Sequence, residues 1–79
     1  MKVKVNEYIR IDSDVCHGKP TFKDSRVMVW QVLEMLESGA SNDEIKEAFP
    51  NLSSEAIKAA LHYAVDLTRR DNVVAIPQT

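Results

Sequence analysis

Few side chains in this chain sit at spacings that do covalent chemistry. Cys16 and His17 are neighbours and His62 lies far along the chain, so a metal site built on them lacks further ligands at any recognised spacing. They read as a loop thiol and an ordinary loop imidazole, with no metal and no cofactor expected. Asp43, Glu44 and Glu47 are clustered carboxylates, but general acid–base work needs a pocket with polar partners, and none can be constructed around them. Their charges suit a helix start and a solvated face. No enzyme is expected. What remains is recognition by charge: His17 and Lys19 flank Gly18 where a loop could meet a phosphate, and Lys2, Lys4, Lys23 and Arg26 crowd the same third of the chain.

The overall balance is less favourable to a polyanion. The 79 residues carry a net charge of -2, whereas phosphate neutralisation normally shows as a basic excess. The charge is uneven, however. Residues 1–33 hold six basic against four acidic side chains, and the remainder carries -4, so any nucleic acid is expected at the basic first third. Stacking platforms for bases need several aromatics. Trp30 and Phe49 are instead expected as core or staple residues, and His62 as the partner of Asp66 one helical turn later.

A chain of this length makes one small, marginally stable domain, expected to span 1–79. Its single cysteine excludes an internal disulfide and points to a reducing cytoplasm. The start Met1-Lys2-Val3-Lys4-Val5 lacks a signal-peptide core, and no apolar run approaches the roughly 20 residues of a membrane span.

The elements that must position these charges follow from periodicity. Val3, Val5, Ile9 and Ile11 alternate with polar neighbours and read as one half-buried strand interrupted at Glu7. Asp12 to Pro20 is a loop, and Thr21 to Val29 a second, weaker strand with Asp24-Ser25 at its turn. Helical spacing begins at Val29 and continues through Val32, Leu33 and Leu36 to a cap at Gly39. Ser41 and Glu44 form a capping box for a second helix that stops at Pro50, with Ala40 and Ile45 as its staple. Ser53 caps a third, Ser53 to about Arg70, with Leu52 and Ile57 as its staple and an apolar face of Ile57, Ala60, Leu61, Ala64, Val65 and Leu67. The expected fold is mainly α with a short N-terminal β element: a strand and loop arm over 1–29, a three-helix helix-turn-helix over 29–70, and a tail over 71–79. An exposed alternating strand has an edge to cover, so a homodimer is expected.

The strings His17-Gly18-Lys19-Pro20, Arg26-Val27-Met28-Val29, Val32 to Ser41, Glu44-Ile45, Phe49-Pro50-Asn51-Leu52 and Ile57 to Ala64 together resemble the domain of unknown function 433 family. That family reads Gly-Lys-Pro, Gly-Thr-Arg-Ile-Pro-Val, a leucine-rich helix ending Gly-x-Ser, Glu-Glu-Ile, Tyr-Pro-x-Leu and an alanine-rich last helix. The resemblance covers about Ile9 to Leu67. It implies a homeodomain-like helix-turn-helix and a role as a VapB-type antitoxin, encoded with a PIN-like ribonuclease toxin. The chain departs from the pattern where Asp24-Ser25-Arg26 replaces Gly-Thr-Arg and where Met28 replaces proline. Aspartate tolerates a left-handed backbone better than most residues, so the turn survives, although a bound phosphate there would tolerate the carboxylate less.

Two functions follow. The first is a DNA-binding autorepressor that neutralises a nuclease, the second a protein-interaction module whose helix-turn-helix no longer binds DNA. The DNA-contacting residues expected are Lys2, Lys4, Lys19, Lys23 and Arg26 in the arm and Ser54, Lys58 and His62 on the third helix. Glu55, near the start of that helix, is unfavourable beside phosphates. Arg69 and Arg70 are expected to place guanidinium groups among a nuclease's carboxylates, and Val73, Val74 and Ile76 to add as an edge strand to that partner.

Overall fold

A computed structural model describes residues 1–69. Its elements are β1 (Lys2–Lys4), β2 (Ile9–Asp12), a short turn of 3-10 helix at Cys16–Gly18, β3 (Thr21–Phe22), α1 (Val29–Glu37), α2 (Asn42–Ala48) and α3 (Ser54–Arg69). The three strands form one antiparallel sheet in the order β1-β2-β3.

The single N-terminal strand of the sequence reading is instead a hairpin, and the interruption at Glu7 is its turn. Asn6 closes that turn: its Oδ1 accepts from the amides of Tyr8 and Ile9 at 2.8 and 3.0 Å, while the amide of Val5 donates to the carbonyl of Ile9 at 3.0 Å. An asparagine side chain that mimics a backbone turn needs no glycine. Lys4 pairs with Glu7 at 2.9 Å beside it. Register then sets Val3 opposite Ile11 and Ile9 opposite Phe22, so these apolar residues share one face. Lys2, Lys4, Arg10, Asp12 and Thr21 fall on the other.

The second strand is also shorter than expected. After Phe22 the chain reverses around Lys23 to Arg26: the amides of Ser25 and Phe22 donate to the carbonyls of Phe22 and Val27 at 3.1 and 2.9 Å. Ser25 Oγ donates to the Phe22 carbonyl and accepts from the Val27 amide, and Asp24 takes the left-handed φ of 59°. Met28 returns beside Thr21 and begins the approach to α1. Its amide donates to Gln31 Oε1 at 2.9 Å, a bond that proline at this position cannot make.

Local signals place the helices well. Gly39, at φ 93°, terminates α1, with the amides of Gly39 and Ala40 donating to Leu36 and Met35; this double bond pattern needs a left-handed residue. Ser41 Oγ accepts from the Glu44 amide at 3.1 Å and Glu44 Oε1 accepts from the Ser41 amide at 2.9 Å. Ser53 Oγ accepts from the Ala56 amide at 3.1 Å.

Ile9 and Phe22 from the sheet, Val29 and Val32 from α1, Ile45 from α2, Leu52, and Ala56, Ile57 and Ala60 from α3 make the buried core. Burial of each larger side chain contributes about 1.5–3 kcal/mol. Trp30 is not part of it. One residue beyond Val29 on the helix, it points off the core face and is 46% exposed. The expected apolar face of α3 is likewise buried only at Ile57 and Ala60, whereas Leu61, Val65 and Leu67 are exposed. Among the described residues no helix is long and apolar enough to cross a membrane.

Candidate functional site

The sheet's polar face and the turn after β3 together form a concavity. Its volume is about 530 Å³, and Lys2, Arg10, Asp12, Thr21, Lys23, Asp24, Ser25 and Arg26 are among its lining residues. Antiparallel pairing carries Lys2 to the end of β2 opposite Asp12, and sets Arg10 opposite Thr21. The reversal at Asp24 brings Lys23 and Arg26 to the same wall. Four cations therefore face two carboxylates, in a chain whose overall charge is negative.

Arg10 was not among the residues expected to bind. On sequence it is one cation inside a strand, and only the register reveals its neighbours. Its guanidinium also donates to the carbonyls of Asn6 and Ile9, which holds the hairpin turn and fixes the side chain with donors to spare. The turn is pinned in the same way: the Lys23 amide donates to the Tyr8 carbonyl at 2.8 Å. A site held by rigid backbone orders a phosphate at lower entropic cost than free lysines.

The structure separates the remaining expected contacts. Lys4 is engaged by Glu7, whose carboxyl is held below the ordinary range chiefly by that hydrogen bond. Lys19 and His17 lie apart from the basic concavity, along a cleft lined with Trp30, Leu33 and Tyr63. Lys58 and His62 are exposed on the outer side of α3 and Ser54 is half-buried. His62 Nε2 pairs with Asp66 at 3.4 Å, as the spacing implied. Lys58 and His62 share a shallow depression with Asn6, Glu7 and Tyr8, so Tyr8 joins the outer face of α3 to the turn that carries Lys23. Arg69 is exposed at the end of α3, while Arg70, Val73, Val74 and Ile76 lie outside the described residues.

Cys16 and His17 hold a surprise in their backbone. Both have positive φ, 50° and 58°, followed by Gly18 at 81°. Consecutive left-handed residues are costly for anything but glycine, and Cys16 Sγ donates to the Arg26 carbonyl at 3.6 Å, tying this loop to the basic turn. The residue types alone gave no signal of that geometry.

Two comparisons place the chain among known proteins. The family model described as "Protein of unknown function (DUF433)" matches residues 9–64. The crystal structure of a DUF433 member protein from Anabaena variabilis ATCC 29413 is similar to it, with 29% identity and a TM-score of 0.72 over 78% of this chain and 61% of that one. The chain thus spans less than two thirds of that protein. No curated protein matches. The family pattern runs from the central strand β2 into α3 and takes in most of the basic concavity, and on that match the chain belongs to the DUF433 family.

Proposed function

We propose that this domain binds double-stranded DNA through its phosphate backbone and serves as the DNA-binding antitoxin of a toxin–antitoxin pair. The observation that carries the DNA reading is the concavity in which Lys2, Arg10, Lys23 and Arg26 converge against a net negative chain. Phosphate contacts of this kind fix register and orientation without reading sequence. Reading falls to α3, used as the second helix of a homeodomain-like helix-turn-helix, with Ser54, Lys58 and His62 on its outer side. The depression shared by Tyr8, Lys58 and His62 supports one continuous contact surface.

Two copies would bind together. Among the described residues β1 pairs on one side only, and that edge, with Val3 exposed, suits pairing with a second copy. Arg69, Arg70 and the apolar tail are the proposed contacts to a PIN-like ribonuclease toxin, which the antitoxin would neutralise in the cytoplasm without catalysing a reaction itself.

Gel shift of the full chain on duplex DNA from upstream of its own gene tests the reading. Binding at low salt, weakened by Lys23→Ala with Arg26→Ala, supports it. No binding to that region at low salt overturns it and leaves the protein-interaction module, which the exposed Trp30, Leu61, Val65 and Leu67 favour.

A further inference from the structure

α1 carries a second face beside the one that meets the core. Trp30, Leu33 and Glu37 stand at i, i+3 and i+7, one stripe of the helix, with Glu34 on its flank. Trp30, Glu34 and Glu37 are exposed, and Leu33, half-buried, borders both faces. The apolar part of this stripe forms, with Met28, Tyr63 and Leu67, a cleft of about 700 Å³. A contiguous apolar surface of this sort marks a docking site.

Charge indicates what docks there. The Val29 amide donates to the Pro20 carbonyl at 2.9 Å, which holds the Lys19-Pro20 backbone beside the first turn of α1. Lys19 and His17, both exposed, line that part of the cleft. The stripe is thus basic at its N-terminal end, apolar in the middle and acidic at Glu34 and Glu37. Of the three described helices, α1 alone holds its charges against its own dipole: it has no acid in the first turn and no base in the last, and its carboxylates lie toward the C-terminal end, where cations are favoured. α2 and α3 have Asp43, Glu44 and Glu55 in their first turns and Lys46 and Arg69 in their last. A surface that reads basic, apolar, acidic is complementary to its own reverse, so a two-fold axis near Leu33 matches it to a second copy.

We propose that this stripe is a contact between two copies of the chain, with their α1 helices antiparallel. Lys19 of each copy then meets Glu37 of the other, which puts a cation at the C-terminal end of the neighbouring α1, and each Trp30 fills the cleft of the other copy against Leu33 and Leu67. The contact uses neither the β1 edge nor the basic concavity. It is therefore independent of DNA binding, and it joins dimers if the β1 edge pairs as well.

Trp30, the sole tryptophan of the chain, reports the contact. In the purified full chain its emission should move to shorter wavelength, and its acrylamide quenching fall, as concentration rises from micromolar to millimolar. In sedimentation velocity, Lys19→Glu and Glu37→Lys should each weaken self-association roughly tenfold, because symmetry makes every pair occur twice and reversal sets like charges together. Combining the two substitutions should restore it. Both positions are exposed, so the far-ultraviolet circular dichroism should not change; were a variant to unfold, the concentration dependence of Trp30 in the parent decides alone. Quenching that does not vary with concentration overturns the proposal. Single variants that associate as the parent does also overturn it and leave the β1 edge as the self-contact. A folded double variant no better than the single ones overturns it too, since Lys19 and Glu37 then do not meet.

Discussion

Asp24 joins fold and function in one side chain, so substitutions there should separate strain from charge. It holds φ 59° at the apex of the turn that carries Lys23 and Arg26. A left-handed L-residue costs about 1–2 kcal/mol, which a short polar side chain softens. Asp24→Ala loses that softening and should cost about 1 kcal/mol. Asp24→Gly removes the about 0–1 kcal/mol of strain that the aspartate retains but adds about 0.5–1 kcal/mol of unfolded-chain freedom, so the two nearly cancel. In a domain of this size each kcal/mol moves Tm by roughly 4–8 °C. Thermal melts should therefore show alanine lower by about 4–8 °C and glycine close to the parent. Asp24→Asn keeps the left-handed tolerance and should melt close to the parent, while removing one of the two carboxylates that face four cations. Fluorescence anisotropy on duplex DNA should find it the tighter binder at low salt. An alanine variant as stable as the parent would refute the strained turn, and unchanged DNA affinity for the asparagine variant would refute a role of this concavity in phosphate contact.

Other consequences are local. A Cβ at Gly39 meets nothing within 4 Å, so Gly39→Ala should lose stability only through its φ of 93°, about 1 kcal/mol by urea unfolding. Ile57, 1% exposed, anchors α3, and Ile57→Ala should cost about 2–5 kcal/mol, seen as a sharply lower unfolding midpoint. Ser41→Ala should cost about 1 kcal/mol as a lost cap. Glu44 carries the matching pH signature. The Ser41 amide, and then the Ser41 hydroxyl, hold its carboxyl below the ordinary value of 4.5. A depressed folded pKa gives stability that is present above the unfolded value and lost as pH falls through the folded one. The stability gap between the parent and Glu44→Gln should therefore be widest above pH 4.5 and close in more acidic solution.

How much of this the sequence reveals depends on the range of the cause. Caps are local, so Ser41, Glu44, Ser53 and Gly39 announce all the described helix boundaries they serve. The hairpin does not announce itself, because Asn6-Glu7-Tyr8 has no glycine and the turn rests on the Asn6 side chain. Alternation survives a reversal, so two short strands read as one. Trp30 misleads for a different reason: it is large and apolar, yet stands one position away from the stripe of Val29, Val32, Leu33 and Leu36 that meets the core. The site was half legible. Lys2, Lys23 and Arg26 stand out as charges, but gathering them with Arg10, and setting Lys4 and Lys19 aside, needs the strand register and the reversal at Asp24.

The salt dependence of DNA binding tests the central claim most directly. Each neutralised phosphate contributes about -0.9 to the slope of log affinity against log salt, so contacts from Lys2, Arg10, Lys23 and Arg26 together give about -3.6. Removing Lys23 and Arg26 should flatten that by about 1.8, whereas Lys4→Ala, already paired with Glu7, should change it far less. A parent slope near zero, or one that the Lys23 and Arg26 substitutions leave unaltered, would contradict the account.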